Sequence, residues 1–176
     1  AQGHELSVAV HLLGPVLMTE LLRPHLRGAR VVLVSSGGMY AQPLRDDDPD
    51  YRRGDYSPAV AYARSKRMQV ELAPLLADRW SHDRISLATT HPGWADTPGV
   101  QESLPTFRRL TAPALRDDEE GADTSIWLAA TEPAPESGLF WHDRRPRPTH
   151  LRPGTRSGAG QVQSAWAWLG EALDLW

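Results

Sequence analysis

Tyr62 and Lys66 lie four residues apart in the run Tyr62-Ala63-Arg64-Ser65-Lys66. On a helix, that spacing puts both side chains on one face. An ammonium beside a phenol favours the phenolate, so the pair suits general acid/base work near neutral pH. Lys66 is also the one lysine among 19 basic residues, the rest being arginine. Arginine is a broad planar fork, whereas lysine is a compact three-donor charge on a flexible stem. Such an ammonium can hold sugar hydroxyls. A hydroxyl is supplied by Ser36, which follows the apolar run Val31-Val32-Leu33-Val34. If that run is a strand, Ser36 sits at its carboxyl end, where open α/β sheets bind ligands, and it can hold a carbonyl oxygen there.

The surrounding pattern says which elements must position these groups. Residues 4–27 read as a helix with Leu6, Val10, Leu13, Leu17 and Leu21 at helical spacing, kinked at Pro15 and closed by Gly28. Residues 30–36 read as a short strand buried on both faces, ended by Gly37-Gly38. Residues 41–57 are a polar loop, and 59–80 a helix with Ala61, Met68, Leu72, Leu75 and Leu76 inward. A strand at 84–90 leads into a Pro/Gly-forced loop, followed by a helix at 117–131 with acids in its first turn. A third strand spans 137–142, an irregular Arg/Pro-rich segment 143–160, and a last helix 161–176. Helices alternating with buried strands predict an α/β fold, a Rossmann-type parallel sheet flanked by helices, in one domain over 1–176. A sheet that starts on a helix is incomplete, with its N-terminal strands expected upstream.

Three of these pieces, VVLVSSGG, YARSK and the loop PGWADT, each follow their proper element. In this the chain resembles the short-chain dehydrogenase/reductase family. SSGGMY, VAYARSKR, HPGWADTPGV, EEGADT and WLA are similar to its member 12 group, near the retinol-dehydrogenase-like branch. The resemblance implies that Ser36 orients the substrate oxygen, Tyr62 exchanges the proton, and Lys66 binds the nicotinamide ribose and lowers the Tyr62 pKa. It further implies that Pro92 and Gly93 let the backbone approach the nicotinamide of NAD or NADP, beside Trp94, and that Thr97 binds its carboxamide or the pyrophosphate. Gly37, Met39 and Trp94 are expected along the substrate, a small carbonyl or alcohol that a closing Trp94 would make apolar. The implied reaction is reversible hydride transfer between the cofactor and that substrate.

Two departures stand out. His11 occupies a slot where many family members carry asparagine; it can hold a water in a proton relay or simply pack against Gly14. The T-G-x-x-x-G-x-G turn and the N-N-A-G segment do not occur, so no phosphate cradle precedes a helix. About 100 residues of a preceding partner are then expected, at about 30 per βαβ unit. Residues 1–176 alone are expected to be inactive and aggregation-prone. A non-catalytic interaction module is the alternative.

Composition narrows the partners. A net charge of -3 gives no electrostatic footprint for nucleic acid. The seven histidines show no zinc-ligand spacing and cysteine is absent, so no metal is expected. Asp46-Asp47-Asp48-Pro49-Asp50 lacks calcium-loop spacing and reads as a solvated loop. Ser36, His91 and Asp96 lack the G-x-S-x-G elbow of a hydrolase. No run reads as a membrane span, the N-terminus does not read as a leader, and a cytoplasmic protein is expected. The tryptophans of the last helix are expected to cap the domain's own core, a membrane surface or a dimer contact being the alternatives. A homo-oligomer through the helices at 4–27 and 59–80 is compatible with the resemblance.

Overall fold

The computed structural model describes residues 3–94 and 116–176. Helix α1 occupies residues 6–22, β1 Arg30–Val34, α2 Pro58–Ser81, β2 Ser86–Thr90, α3 Asp118–Ala130, β3 Phe140–His142, β4 Arg145–Pro146 and α4 Ala159–Leu173. The strands form one sheet in the order β1-β2-β3-β4. β1, β2 and β3 are parallel, with Leu33 opposite Thr89 and Thr90 opposite Trp141. Successive side chains on a strand point to opposite faces. Accordingly Leu33 and Leu87 join the core beneath α1, α2 and α4, while Val32, Ala88 and Trp141 pack with Leu128 of α3. Helices thus cover both faces, as the Rossmann-type pattern predicts.

β4 departs from that pattern. It pairs antiparallel with β3 inside the segment expected to be irregular. The connecting residues Asp143 and Arg144 both have positive φ, as a two-residue primed hairpin turn requires. Asp-Arg lacks the glycine that usually marks such a turn, so the strand was not visible in the sequence.

β1 also differs. Among the described residues it is an edge strand, and Val34 is exposed rather than buried on both faces. A continuous apolar run shows what a strand can bury, not whether a neighbour is there to bury it.

The larger correction concerns α1. Val8, Leu12, Leu13, Val16 and Thr19 face inward, whereas of the residues read at helical spacing Leu6, Val10, Leu17 and Leu21 are exposed and only Leu13 is buried. The helix is apolar on two faces. For that reason Leu6–His25 does meet the length and mean hydropathy (1.4) of a bilayer-crossing helix, contrary to expectation. Its inner face nevertheless belongs to the core of this domain. Pro15 does not break the helix. Instead Ala9–Leu13 widens to a π turn, in which the Gly14 N–H donates to the Ala9 carbonyl. Proline has no N–H to offer the His11 carbonyl, and the Gln69 side-chain amide of α2 donates to it at 2.8 Å.

The central core is completed by Met68, Leu72, Leu76 and Trp80 of α2 and by Ala165 and Leu169 of α4. Trp166 and Trp168 pack on that core, Trp166 stacks on Trp176, and the Arg79 guanidinium lies 4.1 Å from a Trp176 ring centroid. The tryptophan-rich end therefore caps the domain. The acidic loop is more than solvated. Asp48 is buried and accepts from the Arg52 and Arg53 backbone N–H groups, and Asp50 accepts from the Glu5 N–H at the start of α1.

Candidate active site

Three chain segments converge at the carboxyl ends of β1 and β2. The first is the turn after β1. Ser36 caps a 3-10 helix at Gly37–Ala41, its Oγ accepting from the Gly38 N–H at 3.2 Å. Ser36 and Gly37 are half-buried, so the hydroxyl hydrogen remains available to a ligand. Met39 is wholly buried against Val70 and Phe140. It forms the floor of the turn rather than the wall of a pocket.

The second segment is the first half of α2. Tyr62 is 39% exposed and Lys66 only 6%. The Lys66 Nζ lies 5.6 Å from the Tyr62 ring centroid and donates to the Val34 carbonyl at 2.7 Å. Two of its three N–H donors are left. Burial disfavours the ammonium, and its pKa falls to about 8. Ser35, next to Ser36, is buried and donates to the Lys66 carbonyl at 3.1 Å. The structure thus gives the two serines different jobs: Ser35 ties the strand to α2, and Ser36 faces outward.

His11 reaches the same place from the π turn of α1. Its ring meets the Tyr62 ring edge-on at 5.1 Å, and its Nδ1 lies 3.1 Å from the Ser65 Oγ. The Ser65 hydroxyl donates to the Tyr62 carbonyl at 2.7 Å. With that hydrogen committed, the His11 Nδ1 is the donor and Nε2 an acceptor. Burial first, and the Lys66 charge second, push its pKa down to about 4. His11 is therefore neutral near pH 7, and it packs against Tyr62 rather than facing only Gly14.

The third segment follows β2. His91 is buried, stacked on His142 at 3.9 Å, and its Nδ1 accepts from the Gly93 N–H at 3.1 Å. Burial, then the neighbouring His142 and Arg116, push its pKa to about 4. It shapes the Pro92-Gly93 turn, and with Nδ1 so engaged it is no partner for a nucleophile. Gly93 has φ +82°, and a Cβ there would come within 2.9 Å of the Arg116 Nε. Only glycine adopts that backbone without strain. Pro92 and Gly93 are half-buried and Trp94 is exposed. Thr97 and Asp96 lie outside the described residues.

Ser36, Gly37, Tyr62, Lys66, His11, Pro92, Gly93 and Trp94 thus belong to segments that meet at one end of the sheet. The residues present suit the ribose and nicotinamide end of a dinucleotide: an exposed phenol, two spare ammonium donors and a glycine turn without a Cβ. Among the described residues, no Gly-rich loop opens a helix to take the phosphates. Sequence reasoning missed Ser65, Gln69 and Arg67. The last had a visible signal, a charge at a position in phase with the buried Ala63 and Val70.

No family model matches the chain. It is 42% identical over 156 residues to the dehydrogenase/reductase SDR family member 12 of Bos taurus, covering 85% of this chain and 48% of that protein. It is 40% identical over 164 residues to the Homo sapiens protein of the same name, covering 89% and 50%. The chain spans about half the length of the curated relatives it matches. The crystal structure of an uncharacterised protein from Mycobacterium paratuberculosis superposes with a TM-score of 0.73 at 24% identity, over 99% of this chain and 60% of that one, which bears on the fold alone. Identity at this level across most of its length, on this sheet and with these motifs at the strand ends, means that the chain belongs to the short-chain dehydrogenase/reductase family.

Proposed function

We propose that this chain carries the acid/base machinery of an oxidoreductase that interconverts a carbonyl and an alcohol using NAD or NADP. The observation that supports this best is the pairing of an exposed Tyr62 with a buried Lys66 one turn further along α2. When bound, the cofactor supplies or accepts the hydride. In this reading Tyr62 Oη gives a proton to the substrate oxygen during reduction and takes it back during oxidation. The Ser36 hydroxyl donates to the same oxygen and orients it. The two spare Lys66 donors hold ribose hydroxyls. Neutral His11 supports the Tyr62 ring from the side, with Nε2 open to a water in a proton relay. Pro92, Gly93 and Trp94 approach the nicotinamide. Trp94 and Gly37 border the substrate, which the indole makes apolar.

The test is Tyr62→Phe in the longest natural form of the protein, followed by the absorbance of reduced nicotinamide with a panel of apolar ketones. Turnover falling by about 10²–10⁴ with cofactor affinity kept supports the reading. Unchanged turnover sinks it. The exposed outer face of α1 favours a second reading, a non-catalytic interaction module. That reading gains if no carbonyl or alcohol is turned over by the wild-type protein.

A further inference from the structure

We propose that Arg67 is the positioning residue of the Ser36 turn and couples it to the loop at residues 148–150. The proposal rests on the reading that Ser36 contacts the substrate oxygen. Arg67 follows Lys66 on α2 and is wholly buried. A buried guanidinium is costly unless its N–H groups find acceptors; Nη2 finds none among the described residues, and the acceptors of Nε and Nη1 are informative. Nε donates to the carbonyls of Met39 at 3.1 Å and Gln42 at 2.9 Å, the middle residue and the C-cap of the turn that Ser36 opens. The neighbouring Lys66 donates to the carbonyl of Val34, on the other side of Ser36. Consecutive residues of α2 therefore bracket Ser36 in front and behind, on the same helix that carries Tyr62.

The other arm of the guanidinium reaches the loop after β4. Nη1 donates to the Thr149 carbonyl at 2.6 Å and to the Glu71 carboxylate at 3.2 Å. Glu71 also pairs with the His150 Nε2 at 3.1 Å, and the Tyr40 hydroxyl donates to the Pro148 carbonyl at 2.7 Å. The loop after β4 thus docks on the turn through Arg67 and Tyr40. A planar fork can hold the turn and the loop at once, which a single ammonium cannot.

Hydrogen exchange on the full chain tests the clamp without relying on turnover. Arg67→Lys is the main variant, with Arg67→Met and Tyr40→Phe beside it, in case loss of charge or of the fork prevents folding. The expected result is exchange raised about tenfold or more at the Gly38, Met39 and Gln42 amides, with amides 68–73 and 75–77 of α2 little changed. An unchanged turn, or an equal rise along α2, overturns the clamp. In the active form, Arg67→Lys is expected to lower kcat about tenfold at unchanged KM for substrate. A loosened turn with unchanged kcat overturns the positioning role. Tyr62→Phe run alongside separates the two ideas. If Tyr62 matters and Arg67→Lys does nothing, the clamp falls and the reaction stands. If Tyr62→Phe leaves turnover intact, the proposed reaction falls and exchange alone decides the clamp.

Discussion

Val8, Leu12 and Val16 on one face of α1 are buried against α2 and the sheet, whereas Leu6, Val10 and Leu21 on another face are exposed. A surface helix of an ordinary domain has one apolar stripe and one polar face. β1 likewise has no strand on its other side among the described residues, and its Val34 is exposed. The inner side is closed by packing against α2 and the sheet, with His11 bonded to Ser65 and Gln69 of α2. The outer side is apolar surface without cover among the described residues. On this reading stability and chemistry both belong to the inner side.

The largest expected effect is on turnover. Tyr62 is exposed at the rim of the inner side, so Tyr62→Phe should leave the urea midpoint almost unchanged while lowering turnover by about 10²–10⁴. Equal losses in both would show that the tyrosine is structural. On the same side, Leu12→Ala removes a fully buried side chain and should cost about 2–5 kcal/mol in urea denaturation. A loss below that range would mean that α1 is only loosely docked.

Acid should act on the inner side as well. His91 titrates near 4 in the fold against 6.5 when unperturbed. Between those values the unfolded chain binds the proton and the folded chain does not, so stability rises with pH through that window. Its loss on acidification from about 6.5 to about 4 is on the order of 3 kcal/mol for the buried His91, and His11 adds in the same direction. Lys66 acts at the other end. With its folded pKa near 8, below the ordinary 10.5, it makes the fold more stable as pH rises between those values. Thermal unfolding at a series of pH values reads both limbs. A flat profile below pH 6.5 would mean that water reaches both histidines.

Much of the site was legible because its chemistry is local. Tyr62 and Lys66 are related by helix spacing, and Ser36 by the end of a strand, so a one-dimensional pattern carries their three-dimensional relation. The alternation of helices with parallel strands was legible for the same reason. What escaped depends on neighbours distant in sequence. The inner face of α1 is chosen by α2, and two apolar stripes on one helix cannot be ranked without it. β4 hangs on a turn without glycine. Arg67 reads as one more arginine in an arginine-rich chain until Met39, Gln42 and Thr149 are brought around it. Ser65 and Gln69 likewise gain meaning only once His11 lies against them.

A smaller effect is expected where the third segment turns. Gly93→Ala forces an L side chain into positive φ and sets its Cβ against Arg116. It should cost about 1–2 kcal/mol, the usual penalty for a left-handed non-glycine residue. Since the Arg116 side chain can move, the steric part is expected to be minor. A cost near zero in thermal unfolding would mean that the turn relaxes to negative φ.

The smallest effect, and the sharpest test of the contrast within α1, is Leu21→Ala. Leu21 is 70% exposed, so little apolar area leaves water when the described residues fold, and alanine is the better helix former. Its urea midpoint should move by no more than about 0.5 kcal/mol equivalent, against several for Leu12→Ala on the same helix. The comparison is best made at two protein concentrations. If Leu21→Ala is silent when dilute but costly when concentrated, the outer stripe is buried by association, because only a bound state makes stability depend on concentration. If it is costly at both, something within the chain covers the stripe, and the division of α1 into a closed and an open face fails.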